Sequence, residues 1–592
     1  MANEKTTTDQ TQEMVNLTIN NIPVSVPKGT KIMEAAKSIG IDIPHLCYHE
    51  DQRVKARCRL CSVEVTGKRR LLAACSTVVW EGMEVHTDTP IVRDTQVTIL
   101  QMLLANHNQD CLTCPRNQNC DLQRLCSRFN IQQSHLPRVE KHEKPIVTNP
   151  AIVRDPSKCI RCGRCIQACK DIQGIRALTY CGRSADLRVT TAFDKPMETT
   201  DCILCGQCSL VCPTGAIVEK DDTQKVLDAL QDTSKHVIVQ VAPSVRVALG
   251  DAFGMEPGAI VTGQMVTALK LLGFDKVFDT NFGADLTIME EGYEFLDRLQ
   301  NGGVLPMMTS CSPGWVNFME KHFPDQRDHL SSAKSPMSMF GAIAKTYYAQ
   351  NAGIDPHDIV TVSIMPCTAK KFEAARPELG HDGLSDVDIV LTTRELIKLI
   401  KYVGLELVSL PESDFDSPLG FGTGAGAIFG ATGGVMEAAL RTVYEKVTGK
   451  TLEKLDFEDV RGFDKGGGIK EATVELPGRT IRICVAHTLK NARKIMEQVR
   501  RGESPYDFIE IMACPGGCIG GGGQPIGTTN AIRRKRIEAL YKIDKGLPIR
   551  KSHENPDIIK LYQDFLGEPL SHKSHELLHT TYHKVPLPYE FD

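Results

Sequence analysis

The chain has 592 residues, 41% of them hydrophobic and 24% charged, a size that demands several domains and at least one large buried core. Its formal net charge of -4 leaves no basic excess to displace counterions, which argues against nucleic acid as a partner. No apolar run approaches bilayer length, and the polar start from Met1 to Gln12 has no apolar signal core, so the cytoplasm is the expected location. The 22 cysteines cluster at ligand spacings instead of scattering as a disulfide framework would, which points to thiols kept reduced for metal.

Met14 to Val26 alternates polar and apolar residues around Asn20-Asn21 and predicts a hairpin. Lys31 to Ile39 has helical periodicity, with Gly40 as its stop. Cys47, Cys58, Cys61 and Cys75 follow at spacings x10, x2 and x13. Hairpin, helix and this loop-rich cysteine set resemble a β-grasp 2Fe-2S ferredoxin domain over 13–92, with Cys58 and Cys61 as the central pair; a zinc ribbon is the competing reading. Leu100 to His107 predicts a helix leading into His107-x3-Cys111-x2-Cys114-x5-Cys120, in a domain over 93–145. One imidazole and three thiolates are also a usual zinc set, but the company of other cluster motifs favours a 4Fe-4S cluster. A neutral imidazole would remove negative charge from it and raise its potential. Cys126 and Cys181 fall outside any motif and are expected to be buried small side chains.

Residues 146–225 carry Cys159-x2-Cys162-x2-Cys165-x3-Cys169 and Cys202-x2-Cys205-x2-Cys208-x3-Cys212-Pro213. Two such runs fit the bacterial ferredoxin pattern, in which the fourth thiolate of each run reaches across to the other cluster. That assigns Cys159, Cys162, Cys165 and Cys212 to one 4Fe-4S cluster and Cys202, Cys205, Cys208 and Cys169 to a second. Paired zinc knuckles would need four thiolates per site without the x2-x2-x3 periodicity or the crossed ligand.

From His236 the composition changes. Strand-like runs (Val237 to Val241, Val277 to Asp279, Asp358 to Ile364, Val387 to Leu391, Thr480 to Val485) alternate with helical stretches such as Leu286 to Leu299, predicting a layered α/β domain over 226–525. Three segments there combine cysteine with glycine, proline or lysine: Thr309 to Trp315, Met365 to Glu373, and Glu510 to Gly523. Soft thiolates on separate loops can gather around iron while glycines let backbone approach the metal. Together the three segments resemble the signatures of FeFe hydrogenases, and the resemblance runs from the N-terminal ferredoxin module to the last signature. It implies an α+β and α/β multidomain protein that interconverts H2 with protons and electrons, using one 2Fe-2S cluster, three accessory 4Fe-4S clusters and an H-cluster. In that family the H-cluster is a 4Fe-4S cube joined through one cysteine to a di-iron azadithiolate centre bearing CO and cyanide.

The resemblance implies that Cys367 and Cys514 bind the cube, Cys518 bridges cube and di-iron centre, and Lys370 hydrogen-bonds a cyanide. Met365, Met512, Ala242, Pro243 and Ser244 would line the di-iron pocket with soft or apolar surface. The first signature usually has two adjacent cysteines, one relaying protons and the next ligating the cube. Here the pair is Cys311-Ser312. Cys311 occupies the relay position and Ser312 the ligand position, and either Cys311 shifts to ligate, Ser312 ligates through oxygen, or the site is altered; because alkoxide is a hard, strongly basic donor, ligation by Cys311 is the favoured expectation, with its relay role kept open. Glu291, Glu294 and Ser331 would pass protons between Cys311 and solvent, ending near Arg298, since thiol, hydroxyl and carboxyl can donate and accept in series.

Gly422-Thr423-Gly424-Ala425-Gly426, with Gly430, Gly433 and Gly434, does not meet G-x-G-x-x-G spacing, and close backbone packing around the H-cluster is the expected purpose. No NAD or flavin site is expected on this chain. Arg533-Arg534-Lys535-Arg536 and the His-rich segment Ser571 to His583 belong to a tail over 526–592, which the family wraps around the catalytic domain as a small subunit does elsewhere. The implied electron partners are ferredoxin or NAD- and flavin-binding diaphorase subunits, with hydrogenase maturation proteins supplying the anaerobic cofactor. The large subunit of NADH-quinone oxidoreductase shares the N-terminal modules but lacks the three signatures, and an H2 sensor or electron-relay protein is the non-enzyme alternative.

Overall fold

The computed structural model describes residues 13–138, 143–452, 455–463 and 465–587. The expectation for Met1 to Gln12 lies outside them. Strands β1 (Met14–Ile19) and β2 (Ile22–Pro27) form the expected hairpin. Its turn residues Asn20 and Asn21 have φ of 50° and 65°, the left-handed pair that matches strand twist. Val15, Leu17 and Ile19 face inward, where α1 (Ile32–Ser38) covers them. With β3 (Ser62–Val65), β4 (Leu72–Ala73) and β5 (Met83–His86) they complete a sheet of order β2-β1-β5-β3-β4, in which β1 and β5 run parallel.

Helix α2 (Pro90–Asn106) starts ten residues before the stretch read from its apolar periodicity. Pro90 opens it, and the buried Gln96 interrupts the apolar stripe. Helix α3 (Asp121–Arg128) packs Leu122, Leu125 and Cys126 against Leu46, Leu60 and Leu104, so Cys126 is a core residue as expected. Strands β6 (Ile152–Arg154) and β9 (Ile217–Glu219) pair antiparallel and close the base of the double cysteine run. Between them β7 (Thr179–Cys181) and β8 (Arg188–Thr190) form a hairpin. Cys181 ends β7 and is exposed, contrary to its expected burial, because that end of the hairpin has no layer packed over it.

The catalytic region is built on two sheets. One has order β11-β10-β13-β16 and is all parallel: β10 (His236–Val241), β11 (Lys276–Asp279), β13 (Ile359–Met365) and β16 (Ile389–Thr392). The other has order β12-β19-β18-β17, from β12 (Met307–Met308), β17 (Ile469–Leu476), β18 (Arg479–His487) and β19 (Phe508–Met512), with only β17 antiparallel. A small hairpin, β14 (Gly380–His381) with β15 (Leu384–Ser385), precedes β16. Helix Thr280–Asn301 runs longer than the predicted Leu286 to Leu299, because Asp279 caps it through the Asn281 amide. Carboxyl ends of β10, β12, β13 and β19 lead directly into the three signatures and Ala242-Pro243, the position where open α/β sheets bind ligands.

The glycine-rich segment forms the short helix Gly424–Ile428. Side chains added at Gly422 or Gly424 would strike Asn281 and Asp544, so the close packing is against neighbouring helices, and of this group only Gly430 reaches the cavity described below. The basic run belongs to helix Asn530–Gly546 and partly turns inward. Arg536 is fully buried and pairs with Asp251 at 2.6 Å, while Arg533 pairs with Asp51 at 2.9 Å, beside the Asn530 amide on the same carboxylate.

Candidate active site

Cys47 approaches Cys58, and Cys61 approaches Cys75, each pair within hydrogen-bonding reach through sulfur. The contact with Cys58 pulls the Cys47 thiol down to about 5, and the Cys58 amide lies 3.5 Å from the Cys47 sulfur. Two pairs of thiols facing each other suit a diamond of two irons, each taking two sulfurs, and this donor set fits a 2Fe-2S cluster.

Cys159, Cys162, Cys165 and Cys212 line one cavity, walled by Ile160, Pro213 and Ile217. Burial pushes the Cys159 thiol up to about 11 and Cys162 to about 12, so iron must displace their protons. Cys202 and Cys208 take Cys169 among their charged neighbours, which brings the crossed ligand to the second run. Both sets fit cubes. Cys111 and Cys120 each take Cys114 among their charged neighbours, and His107 is buried at the end of α2.

These sites touch one another. Lys55 sits between Cys47 and Cys162, and Gln52 donates to the Arg164 carbonyl at 3.0 Å. Arg116 donates to the Cys212 carbonyl at 3.0 Å, and a Cβ on Gly215 would meet the Cys114 sulfur at 2.7 Å. Both N-terminal modules therefore abut the first cube site. Lys321, buried on the helix after the first signature, donates to the Thr200 and Cys202 carbonyls at 3.0 and 2.7 Å and fixes the second cube loop to the catalytic region.

A central cavity collects the signatures. Its wall includes Cys311, Ser312, Cys367, Lys370, Cys514 and Cys518, together with Ala242, Pro243, Met365 and Met512. Cys205 of the second cube set lines it too, and Cys514 is the first of its charged neighbours. Ser244 does not reach this wall: the tight turn Ala242 to Val245 carries its hydroxyl and carbonyl to the Gln524 amide at 3.4 and 3.3 Å. Thr280, Met337 and Phe429 also line the cavity and carried no metal-type signal in the sequence. A lining of thiols together with apolar and thioether side chains fits a cube bonded to a low-polarity di-iron centre. Lys370 is the one charged side chain among the described residues of this wall, held by Ser335 at 2.7 Å and by Glu373.

The Gly521-Gly522-Gly523 run locks the wall to its neighbours. A Cβ at Gly522 would collide with the Cys205 carbonyl, and Arg394 holds the Gly522 and Gln524 carbonyls at 2.8 and 2.7 Å while pairing with the buried Glu219.

Glu291 and Glu294 share one face of helix Thr280–Asn301. Glu294 accepts from Ser331 at 2.7 Å and pairs with Arg298 at 2.6 Å. The buried Glu291 carboxyl has the Ser310 amide and the Ser331 hydroxyl as its polar neighbours. Burial, reinforced by the Glu294 charge, pushes the Glu291 carboxyl up to about 8. Cys311 has Glu291, Cys518, Lys370 and Glu510 as its charged neighbours, and Ser331 stands between Glu291 and Glu294, so thiol, Glu291, Ser331 and Glu294 form a sequence leading away from the cavity. The preceding Glu290, not singled out in the sequence, binds His579 at 2.9 Å and Tyr562. His579 is thus buried in the wrap of the tail; no local pattern in a His-rich segment reveals a partner 289 positions away.

Residues 235–522 match the family described as iron only hydrogenase large subunit, C-terminal domain, and 530–585 match iron hydrogenase small subunit. Residues 12–90 match a 2Fe-2S iron-sulfur cluster binding domain, 96–135 the NADH-ubiquinone oxidoreductase-G iron-sulfur binding region, and 149–218 the ferredoxin-like domain of NADH-quinone oxidoreductase subunit 3. The chain is 50% identical to the NADP-reducing hydrogenase subunit HndD of Solidesulfovibrio fructosivorans, across 96% of this chain and 99% of the relative. It is 41% identical to iron hydrogenase 1 of Clostridium pasteurianum, across 96% and 100%. A solved FeFe-hydrogenase structure from Chlamydomonas reinhardtii is similar with a TM-score of 0.56 and 47% identity, covering 62% of this chain and 99% of that one.

Proposed function

The chain belongs to the FeFe hydrogenase family, an H-cluster domain behind accessory iron–sulfur domains, and on that footing we propose how its residues divide the work. Cys367, Cys514 and Cys518 would hold the cube, and Cys518 would also serve the di-iron centre. The convergence of these three thiols with Lys370 on one wall that also contains Cys205 carries this reading. The H-cluster, when bound, supplies the metal at which H2 is cleaved heterolytically or formed.

The chain's own groups do the rest. Ala242, Pro243, Met365 and Met512 keep water from the di-iron end, and Lys370 offers a cation to its anionic ligands. Cys311 moves a proton to and from the cavity; Glu291, Glu294 and Ser331 carry it outward, and Arg298 holds the Glu294 carboxylate in place. One 2Fe-2S cluster at Cys47, Cys58, Cys61 and Cys75, a 4Fe-4S cluster at His107, Cys111, Cys114 and Cys120, and the two crossed cubes form the electron relay. Contact of both N-terminal modules with the first cube set, and of the second with the cavity, supports this order.

Ferredoxin or an NAD(P)-linked flavoprotein subunit is the electron partner, in the cytoplasm, and maturation proteins install the di-iron centre. The naming of one close relative as an NADP-reducing hydrogenase subunit and the NADH-oxidoreductase type of two N-terminal modules favour the flavoprotein. Hydrogen evolution from reduced viologen by the matured chain, with infrared bands in the CO and cyanide region, tests the site assignment. Absence of those bands from an active preparation would sink it, and co-purification from the native host tests the partner.

A further inference from the structure

A 4Fe-4S cube takes four protein donors, and the cavity supplies three unambiguous thiols, Cys367, Cys514 and Cys518. Two adjacent residues compete to be the fourth, Cys311 and Ser312. Softness favours Cys311, since thiolate suits iron–sulfur chemistry better than alkoxide. Position favours Ser312. The backbone at Ser312 is extended, with φ of -101° and ψ of 102°, so neighbouring side chains diverge. The Ser312 hydroxyl accepts from the Ala513 amide at 3.3 Å, directly before Cys514. Gly314, two residues on, lies against Ala513 and Ile203, so this turn faces the end of the cavity where Cys205 and Cys514 meet. Cys311 turns the other way. It packs against the apolar cluster that holds Met512 and Phe429, and its charged neighbours, Glu291 first, are Glu291, Cys518, Lys370 and Glu510.

We propose that the Ser312 hydroxyl, and not the Cys311 thiol, is the fourth protein donor to the cube, beside Cys367, Cys514 and Cys518. The proposal deepens the site assignment above and rests on it. Loading breaks the serine O–H bond and forms an Fe–O bond, and the proton leaves to solvent as each thiol proton does. No electron moves, and the ligand charge equals that of a thiolate. The Ala513 N–H is placed to stabilise the resulting oxygen anion. The arrangement leaves Cys311 a free thiol at the start of the proton route, and a hard oxygen donor stabilises the oxidised cube. One iron of this cube is chemically distinct from the rest.

The test uses the full chain enriched in 57Fe, as wild type, Ser312→Cys and Cys311→Ala, with Mössbauer spectra and redox titration followed by electron paramagnetic resonance. The expected wild-type spectrum contains one iron subsite of oxygen-ligated character. Ser312→Cys should abolish that subsite and shift one cube to higher potential, and Cys311→Ala should leave both features intact. A wild-type spectrum with sulfur-ligated subsites only, together with loss of one cube's iron in Cys311→Ala, would overturn the proposal and make Cys311 the ligand. Absence of this cube from all three proteins would instead overturn the underlying assignment of the cavity.

Discussion

Ser331 donates a 2.7 Å hydrogen bond to Glu294, whose other carboxylate oxygen is held by Arg298 at 2.6 Å. One carboxylate thus has a protic neighbour on one side and a fixed cation on the other. Ser331→Ala keeps the ion pair and removes the hydroxyl. A lost proton-relay group costs about 10²- to 10⁴-fold in rate, and the variant should fall at the lower end of that range in viologen-driven hydrogen evolution. Infrared bands of the di-iron centre should stay at wild-type positions; a shift would mean that the change reached the metal.

Glu291 predicts a pH effect. Its carboxyl, ordinarily near 4.5, is pushed up to about 8 by burial and by Glu294, so the folded chain retains a proton that the unfolded chain releases. Its contribution to stability is fully present below pH 4.5 and is lost as pH rises through about 8. Anaerobic thermal midpoints should therefore decline less between pH 6 and pH 8.5 in Glu291→Gln than in wild type. Parallel declines would show that Glu291 does not titrate there.

Lys370 and Glu373 form a buried pair at 2.7 Å on the cavity wall. Removing one partner of a buried pair costs about 3 to 5 kcal/mol, because the other charge is stranded. Lys370→Met should destabilise the chain by that amount and lose the CO and cyanide bands. Lys370→Met with Glu373→Gln should recover stability without recovering the bands, as read by thermal melting and infrared spectra. Bands returning with stability would reduce Lys370 to a structural role.

Gly522 touches the loop that carries Cys205. Gly522→Ala should push that loop away from the central cavity, at an overpacking cost of about 1 to 3 kcal/mol. Total iron should be retained while magnetic coupling between the second cube and the H-cluster weakens. Unchanged coupling would show that the loop absorbs the methyl group elsewhere.

Glu219 and Arg394 brace the end of the last signature, where Arg394 spans the Gly522 and Gln524 carbonyls. Glu219→Gln strands the guanidinium and should lower stability by about 3 to 5 kcal/mol, measured by anaerobic melting. A neutral result would mean that the carbonyls alone satisfy Arg394.

The cysteine sets were legible because their chemistry is local: x2 spacings place three sulfurs on one loop, and the signatures sit where strands end. Turn geometry was legible for the same reason at Asn20-Asn21. What escaped the sequence depends on distant partners. Ser244 looked like a neighbour of Ala242 and Pro243, but the turn sends it to Gln524. Cys181 followed the usual burial of cysteine, and nothing in its flanks says that this end of the hairpin is uncovered. Likewise Glu290 and His579 meet only after the tail has crossed the catalytic helix.

Asp51, in the first ferredoxin-like module, is gripped by Asn530 and Arg533 near the other end of the chain. During translation that grip cannot form until helix Asn530–Gly546 has left the ribosome. The contact of Gln52 with the Arg164 carbonyl needs only the first third of the chain and can already hold the module against the first cube set. The hold on Asp51 is therefore a second attachment, added late in synthesis, after most of the catalytic half has emerged.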